Sequence, residues 1–493
     1  MSYFTTCRAT PIWLLASFSG HILAGTLTVN VANDPAGSGT CPAACSLRQA
    51  IATAGNGDTL VFDPGLASPI TLAQGALMLA KALAIQGPGA AKLTVSANNT
   101  SQIFVVSAQA SISGLTLADG FITGTAGSNG AGGTPGAAGV PGGPGGAGSP
   151  GGLAGGACVQ VANSGALVLD HVAVRHCIAY GGSGGNGGNG GAGNMNPFDP
   201  PTSAGGAGGN SGAGGDATGG AILVYGSLSL LNSSVVDGQA YGGGGGAGAA
   251  GGIGDSGGGP VFGASGVSGA GGAANGGAIF LAAGSLRITN STIAGGSGTG
   301  GTGGAGVTST SDVTYGGAGG AASGGLIRVD ASAALADLEF STLAGGQAVG
   351  GSGGSGVFGH EGPPGASYGN AISAAITITA LSSVVVDVQS GVSLCNGSVT
   401  AASASVNLDE DGSCGFSLQG TFAQLFHPLD PNTTPWPGYL PLYHSAAIDA
   451  AASCDDLNAT VVAQDQHATP RPQGVNCDIG AIEADYIFVD GFE

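Results

Sequence analysis

The chain has 493 residues, 103 of them glycine, and only 7% are charged, against roughly a quarter in an ordinary globular domain. Eight Lys and Arg face 28 Asp and Glu, a formal net charge of −20. That balance excludes nucleic acid, which needs clustered cations on its phosphates, and excludes docking on an anionic membrane face.

Residues 1–24 read as an export signal. Arg8 supplies the positive start, Pro11 to Ala24 the apolar segment, and cleavage after Ala24 fits a small-residue site. No later apolar run reaches the roughly 18 residues of a spanning helix, so no transmembrane segment is expected in the mature chain. With Cys7 lost in the leader, eight cysteines remain in four sequence-local pairs: Cys41/Cys45, Cys158/Cys177, Cys395/Cys414 and Cys454/Cys477. An even count in an exported chain reads as disulfides, with the pairing resting on proximity alone. The cysteines do not form tight CxxC pairs and the histidines do not cluster with them, so no metal site and no cofactor are expected.

Residues 25–123 read as short strands, such as Leu60-Val-Phe62, Leu83-Ala-Ile85 and Ile112 to Leu117, bounded by Gly, Pro, Asn and Asp clusters. One helix interrupts them. Ser46 is a suitable N-cap with Gln49 three residues on, a capping box. Leu47, Ala50, Ile51 and Ala54 then share one face, and Gly55 suits the stop. Such a helix would cover the open end of a first coil.

Cys45-Ser-Leu-Arg-Gln-Ala-Ile51, Gly57 to Asp63, Leu83 to Gly89 and Ile112 to Leu117 together resemble the CSLREA-type N-terminal domain of exported bacterial parallel β-helix proteins. Gln49 stands where that family usually has Glu.

Residues 124–390 carry a repeated phrase. It opens at Gly155-Gly-Ala-Cys158, Gly219-Gly-Ala-Ile222, Gly276-Gly-Ala-Ile279 and Gly324-Gly-Leu-Ile327. Aligned on the turn glycines Gly165, Gly226 and Gly284, it brings together Leu167, Leu228 and Leu286, then Leu169, Leu230 and Ile288, then His171, Asn232 and Asn290. Such self-similarity signals a solenoid, and length then says little about domain count, because a solenoid grows coil by coil. A coil of about 22 residues suits one turn of a right-handed parallel β-helix with strands about 4.8 Å apart. The phrase also resembles repeats of the polymorphic outer-membrane protein family, which implies a surface-exposed adhesin.

Between phrases, glycine recurs every third residue: Gly133 to Gly151, Gly181 to Gly193, Gly206 to Gly215, Gly242 to Gly257 and Gly295 to Gly304. Three residues per turn is the polyproline II period. Two readings follow, a bundle of polyproline II segments leaving one corner of successive coils or a flexible linker. By composition the tracts resemble the glycine-rich tips of some phage adhesins.

In residues 391–493 glycine falls and Asp, Pro and aromatics rise. Ala446 to Asp449, Asp465-Gln466, Pro470-Arg-Pro472 and Cys477 to Glu483 resemble the choice-of-anchor Q C-terminal domain. The usual Asp-Gln-Arg-Gly run reads Asp465-Gln-His-Ala468 here, leaving the family's Arg without a counterpart. Ile487 to Glu493 resembles a short tail of some exported Gram-negative proteins, as a sorting element or simply a last strand.

A catalytic site on a β-helix needs several ionisable groups on one face. Asp170-His171 and Arg175-His176 form the densest group and are the catalytic candidates, against the reading that His171 merely fills the Asn position of the repeat. Arg287 and Asp337 align in successive repeats, which predicts a surface ion pair. Asp465, Arg471, Asp478 and Glu483 predict a buried ion-pair network capping the last coil.

The expectation is therefore an all-β, right-handed parallel β-helix with a short N-terminal capping helix and a glycine-rich, polyproline II-like loop lobe. It comprises a signal peptide (1–24), a CSLREA-like cap with the first coils (25–123), repeats with excursions (124–390) and a C-terminal cap (391–493). The leading function is non-enzymatic, a secreted or cell-surface structural or adhesive protein of a Gram-negative cell that binds glycans or other surface ligands through the loops. The alternative is a polysaccharide lyase or glycoside hydrolase on a pectin-lyase-like β-helix.

Overall fold

The computed structural model describes residues 24–36, 41–194, 203–255, 259–307, 314–386, 391–429 and 437–485. The proposed leader up to residue 23 and the tail from residue 487 lie outside the described residues.

Short apolar-alternating strands separated by turns stack into three parallel columns. The first column runs through Leu77–Leu79, Phe104–Val106, Val159–Val161, Ile222–Val224, Ile279–Leu281 and Ile327–Val329. The second includes Gln109–Ser113, Ala166–Asp170, Ser227–Leu231, Gly284–Thr289 and Ala333–Glu339. The third includes Thr116–Ala118, Ala173–Tyr180, Ser234–Tyr241, Thr292–Ala294, Thr342–Ala344 and Val384–Val386. Long strand Ile372–Leu381 spans the first two columns. One chain turn visits all three columns and returns one rung on, which is a parallel β-helix.

Register follows the repeat. Leu167, Leu228 and Leu286 stand on successive rungs, as do Leu169, Leu230 and Ile288, and all six are at most 2% exposed. The alternating Ser227 and Ser229 point away from the core. In the first coil, however, the phrase shifts by one residue. Val159, not Cys158, pairs with Ile222, so Gly156 stands opposite Gly219 and Cys158 takes the buried Ala221 position. Gly156, Gly219, Gly276 and Gly324 all have φ between 57° and 66°, a conformation that selects glycine.

The corner between the second and third columns explains why the repeats read Asn232-Ser-Ser234 and Asn290-Ser-Thr292, an Asn-Ser-Ser/Thr run. Gly114, His171, Asn232, Asn290, Phe340 and Ser382 all hold φ between 43° and 60° there, which Gly and Asn tolerate best. Asn290 Nδ2 donates to Asn232 Oδ1 (3.1 Å), and Asn232 Nδ2 to Asp170 Oδ1 (2.9 Å). The residue after the corner has its N–H turned from the backbone ladder, and serine accepts it. Val172 N donates to Ser233 Oγ, Ser233 N to Ser291 Oγ, Ser291 N to Ser341 Oγ and Ser341 N to Ser383 Oγ, at 3.0–3.2 Å. A buried serine ladder thus satisfies donors that would otherwise cost about 1–3 kcal/mol each.

The N-terminal helix, Leu47–Thr53, has the expected capping box. Its stop is not Gly55. The chain leaves helical geometry at Ala54, and Lys81 of the next coil donates to the final carbonyls of Ile51, Ala52 and Ala54. Arg48 holds buried Asp34 through two hydrogen bonds, 2.7 and 2.8 Å, and donates on to Gly75 and Ala76 carbonyls. Disulfides join Cys41 to Cys45, Cys158 to Cys177, Cys395 to Cys414 and Cys454 to Cys477.

The glycine tracts form a lobe of five out-and-back excursions rooted on a five-stranded ladder that includes Ala154–Gly155, Ala217–Thr218 and Ala274–Asn275. Its legs bond to each other every third residue. Gly124, Gly127, Gly130 and Gly133 donate to Tyr180, Ser183, Asn186 and Asn189 carbonyls, and Gly182, Gly185, Gly188 and Gly191 to Gly152, Ser149, Gly146 and Gly143 carbonyls. In a Gly-Gly-X triplet the two glycines serve two neighbouring legs and X faces outward. The period-three run from Gly133 to Gly151 is therefore two legs that reverse around Gly139, whose φ is +71°. A Cβ on Gly185 would lie 2.0 Å from Ser128 O, and one on Gly212 1.9 Å from Ser149 O.

The C-terminal residues depart from expectation. Leu394, Cys395, Cys414 and Phe416 close the end of the main core. Residues 437–485 instead run back along the flank, where Tyr439, Ala447, Ala451, Cys477 and Ile479 pack on the outward Val236, Ala294, Phe340, Ala344, Val384 and Val386 in a second apolar core.

Candidate functional site

The four catalytic candidates do not form one site. Asp170 and His171 sit at the second–third corner, with His171 Nδ1 2.8 Å from Asp170 Oδ1. The bond from Asp170 raises the His171 pKa. Burial pushes Asp170 upward, but bonds from His171 and Asn232 outweigh it and hold the carboxyl below its usual range. Both groups are occupied with the ladder. His176 lies beyond that corner, within the strand Ala173–Tyr180.

His176 belongs to a different column. Its Nδ1 is 3.7 Å from Asp119 Oδ1 and its Nε2 3.6 Å from Asp237 Oδ2, so Asp, His and Asp stack on three successive rungs. Their side chains are 57%, 36% and 47% exposed for His176, Asp119 and Asp237, so all three face solvent. Two rungs separate the carboxylates by about 9.6 Å, near the upper end for paired glycosidase acids, and the imidazole fills the gap where a glycosidic oxygen would sit. Among the described residues Arg175 forms no ion pair.

The C-terminal set converges, but on the flank of the helix and not on its last coil. Arg471 is buried, donates to Glu483 Oε2 (2.9 Å), Asp478 O, Gly480 O and Asn290 Oδ1, and lies 5.0 Å above the Phe340 ring. Asp465 accepts from the Glu483, His467 and Thr469 N–H groups. Asp478 accepts from Asp449 N and Ala484 N, and burial raises its pKa to about 6. Asn290 also donates to Gln464 O, and Thr292 Oγ1 to Gln466 Oε1 at 2.6 Å. These bonds pin the C-terminal residues to the Asn and Phe rungs of the corner and leave the acids committed to structure.

The Arg287–Asp337 pair forms on the expected register at 3.0 Å. It is not a surface pair: Asp337 is 5% exposed, and Arg287 also approaches fully buried Glu339 at 3.7 Å. Neither Glu339 oxygen has a hydrogen bond of good geometry. Burial pushes Glu339 up to about 7, Arg287 opposing, with Asp456 and Asp337 adding to the rise.

The sequence reading missed the largest recess found among the described residues. A cleft of about 700 Å³ lies between the root of the lobe and the first column. Its floor is the outward row Gln160, Leu223 and Phe280 on successive rungs. One wall is Asp216, Thr218 and Asn275 below the return legs; the other is the turn after each first-column strand, with Asn163, Tyr225, Ala283, Asp330 and Ser332. These wall residues differ from coil to coil, so no periodic signal in the sequence marks them.

No family model matches the chain, and no curated protein does. Among solved structures, pectate lyase Pel9A is similar over 93% of this chain and 96% of that one, at 11% identity and a TM-score of 0.28. The alginate lyase AlyGC of family PL6 is similar over 84% of this chain and 55% of that one, at 10% identity and a TM-score of 0.16. At these scores the likeness says nothing about the chemistry of a site.

Proposed function

We propose that the chain is an exported, non-enzymatic structural or adhesive protein that binds glycans or another surface beside its glycine-rich lobe. We read its ends as CSLREA-type and choice-of-anchor Q-like, its repeats as kin to those of the polymorphic outer-membrane proteins, and the lobe as a polyproline II bundle. The observation that carries the function is the bonding of the lobe: legs tied to two neighbours every third residue form a stiff slab, not a tether, and a cleft of about 700 Å³ opens at its root. Four disulfides suit an oxidising, extracellular setting. Among the described residues no helix is long and apolar enough to cross a membrane.

The alternative, a polysaccharide lyase or glycoside hydrolase, needs acids and bases that converge on one substrate bond. Here Asp170 and His171 serve the corner ladder, Asp119 and Asp237 sandwich His176, and the C-terminal acids bind backbone N–H groups. The test is to incubate the full chain with a polysaccharide panel and follow retention together with release of reducing or unsaturated ends. Retention without product is the expected outcome. Product formation abolished by Asp170→Asn or His176→Ala would establish the enzyme instead.

A further inference from the structure

The cleft at the lobe root has a composition that selects among glycans. Resting on the surface-binding reading above, we infer that it takes an uncharged polysaccharide chain, laid along the helix axis, and rejects acidic ones.

The first argument is charge. The lining holds two carboxylates, Asp216 and Asp330, and no Lys or Arg. Arg328, the next outward residue beyond Phe280 on the same column, is not in the lining and gives Nη1 to Ser373 Oγ at 3.0 Å. In a chain of net charge −20, an acidic cleft repels a polyuronate, whose binding requires cations or a bridging metal.

The second argument is hydrogen-bonding capacity. Asp216 uses one carboxylate oxygen on Ala273 N (2.7 Å), and Asp330 one on Ala331 N (2.7 Å). These fixed bonds orient each carboxylate and leave its second oxygen to accept from a hydroxyl. Asn275 Oδ1 accepts from Ser323 Oγ at 2.6 Å, which fixes that amide and leaves its NH₂ to donate. The walls thus offer both acceptors, at Asp216 and Asp330, and a donor, at Asn275, as the hydroxyls of a neutral sugar require. Tyr225, 37% exposed, presents an aromatic ring beside them, and apolar Leu223 and Phe280 floor the cleft, the mixture by which sugar-sized sites gain contact area.

The third argument is shape. The lining draws on four successive coils, through Asn163, Tyr225, Ala283 and Asp330, one turn residue each. At about 4.8 Å per rung the groove repeats with nearly the length of one pyranose in an extended chain, so successive sugars meet successive coils.

Affinity electrophoresis of the full chain through gels holding soluble β-glucan, xylan or galactomannan, with polygalacturonate and alginate in parallel, tests this. Retardation by at least one neutral polymer and by neither polyuronate is expected, with at least a tenfold affinity loss in Tyr225→Ala and in Asn163→Ala. Unchanged far-ultraviolet circular dichroism and melting show that the variants fold, and Ser183→Ala on the outer lobe face serves as the neutral control. Retardation by a polyuronate overturns the inference. So does neutral-polymer binding that both cleft variants retain, although the broader surface-binding reading then survives. Absence of binding to every polymer removes this inference and the glycan arm of that reading together.

Discussion

The β-helix and the glycine lobe both stack backbone in parallel rungs, yet they fill their interiors in opposite ways. In the helix, strand hydrogen bonds run along the stack and side chains such as Leu169, Leu230 and Ile288 fill the space inside. Among the described lobe residues side chains such as Ala249 contribute little to the interior. Glycines fill it, and their N–H groups bond in two directions because no Cβ holds the legs apart. The first architecture tolerates any apolar side chain of similar volume; the second tolerates almost no side chain at all. Lobe and helix are also ranked in dependence, since each leg starts from a rung that the helix has already set in register.

The largest expected effect tests that ranking. Leu230→Ala removes a fully buried side chain, a change that costs about 2–5 kcal/mol. It should lower the melting temperature and loosen helix and lobe together. Gly185→Ala, whose Cβ would lie 2.0 Å from Ser128 O, should exceed the roughly 1–3 kcal/mol of ordinary overpacking locally. It should strip amide protection from the lobe while the helix melts unchanged. If Gly185→Ala unfolds the helix as well, the two regions are one cooperative unit.

Arg471→Met extends the comparison to the flank. Breaking a buried ion pair by removing one partner costs about 3–5 kcal/mol, and buried Glu483 would keep only its bonds from the Gln473 and Asp478 N–H groups, with no cation beside it. The expected result is release of residues 437–485 to proteases with the coils intact. Ser291→Ala should cost less, about 1–3 kcal/mol, because it orphans only the Ser233 N–H.

An effect of pH distinguishes the flank from the N-terminal cap. Glu339 is raised from 4.5 to about 7 at the flank interface, chiefly by burial. Its folded form therefore keeps a proton that the exposed carboxyl loses, so flank packing is strongest below pH 4.5 and weakens as pH rises to about 7, by up to about 3 kcal/mol. Asp34 at the N-terminal cap has the opposite sign. Burial raises it, but Arg48 and the Ala73 and Gln74 N–H groups overcome this and hold it low. Its contribution is present above the ordinary aspartate range and fades as pH falls through that range. Proteolysis of each end against pH should give opposite slopes, and Glu339→Gln should flatten the flank slope alone.

Much of the fold was legible because repetition leaves a periodic trace. The turn glycines, the stacked leucines and the Asn rungs fall where the alignment places them. The first phrase slipped by one residue because Gly155-Gly156 offers two registers and only pairing to Thr218 and Ile222 chooses between them. The serine ladder was visible as the repeated Ser of Asn-Ser-Ser/Thr, but its role depends on a donor freed by a left-handed corner. Whether the C-terminal residues cap the end or line the flank depends on tertiary packing on Val236 and Phe340, which local pattern does not encode. The cleft left no trace, since its walls come from turn residues that change in every coil.

Hydrogen–deuterium exchange of residues 242–252 tests the central claim most directly, that the glycine excursions are an ordered extension of the helix. Gly242, Gly243, Gly245 and Gly246 all donate to neighbouring legs. They should be protected for minutes or longer, in step with strand Ser227–Leu231. Complete exchange within seconds, while that strand stays protected, would contradict the account.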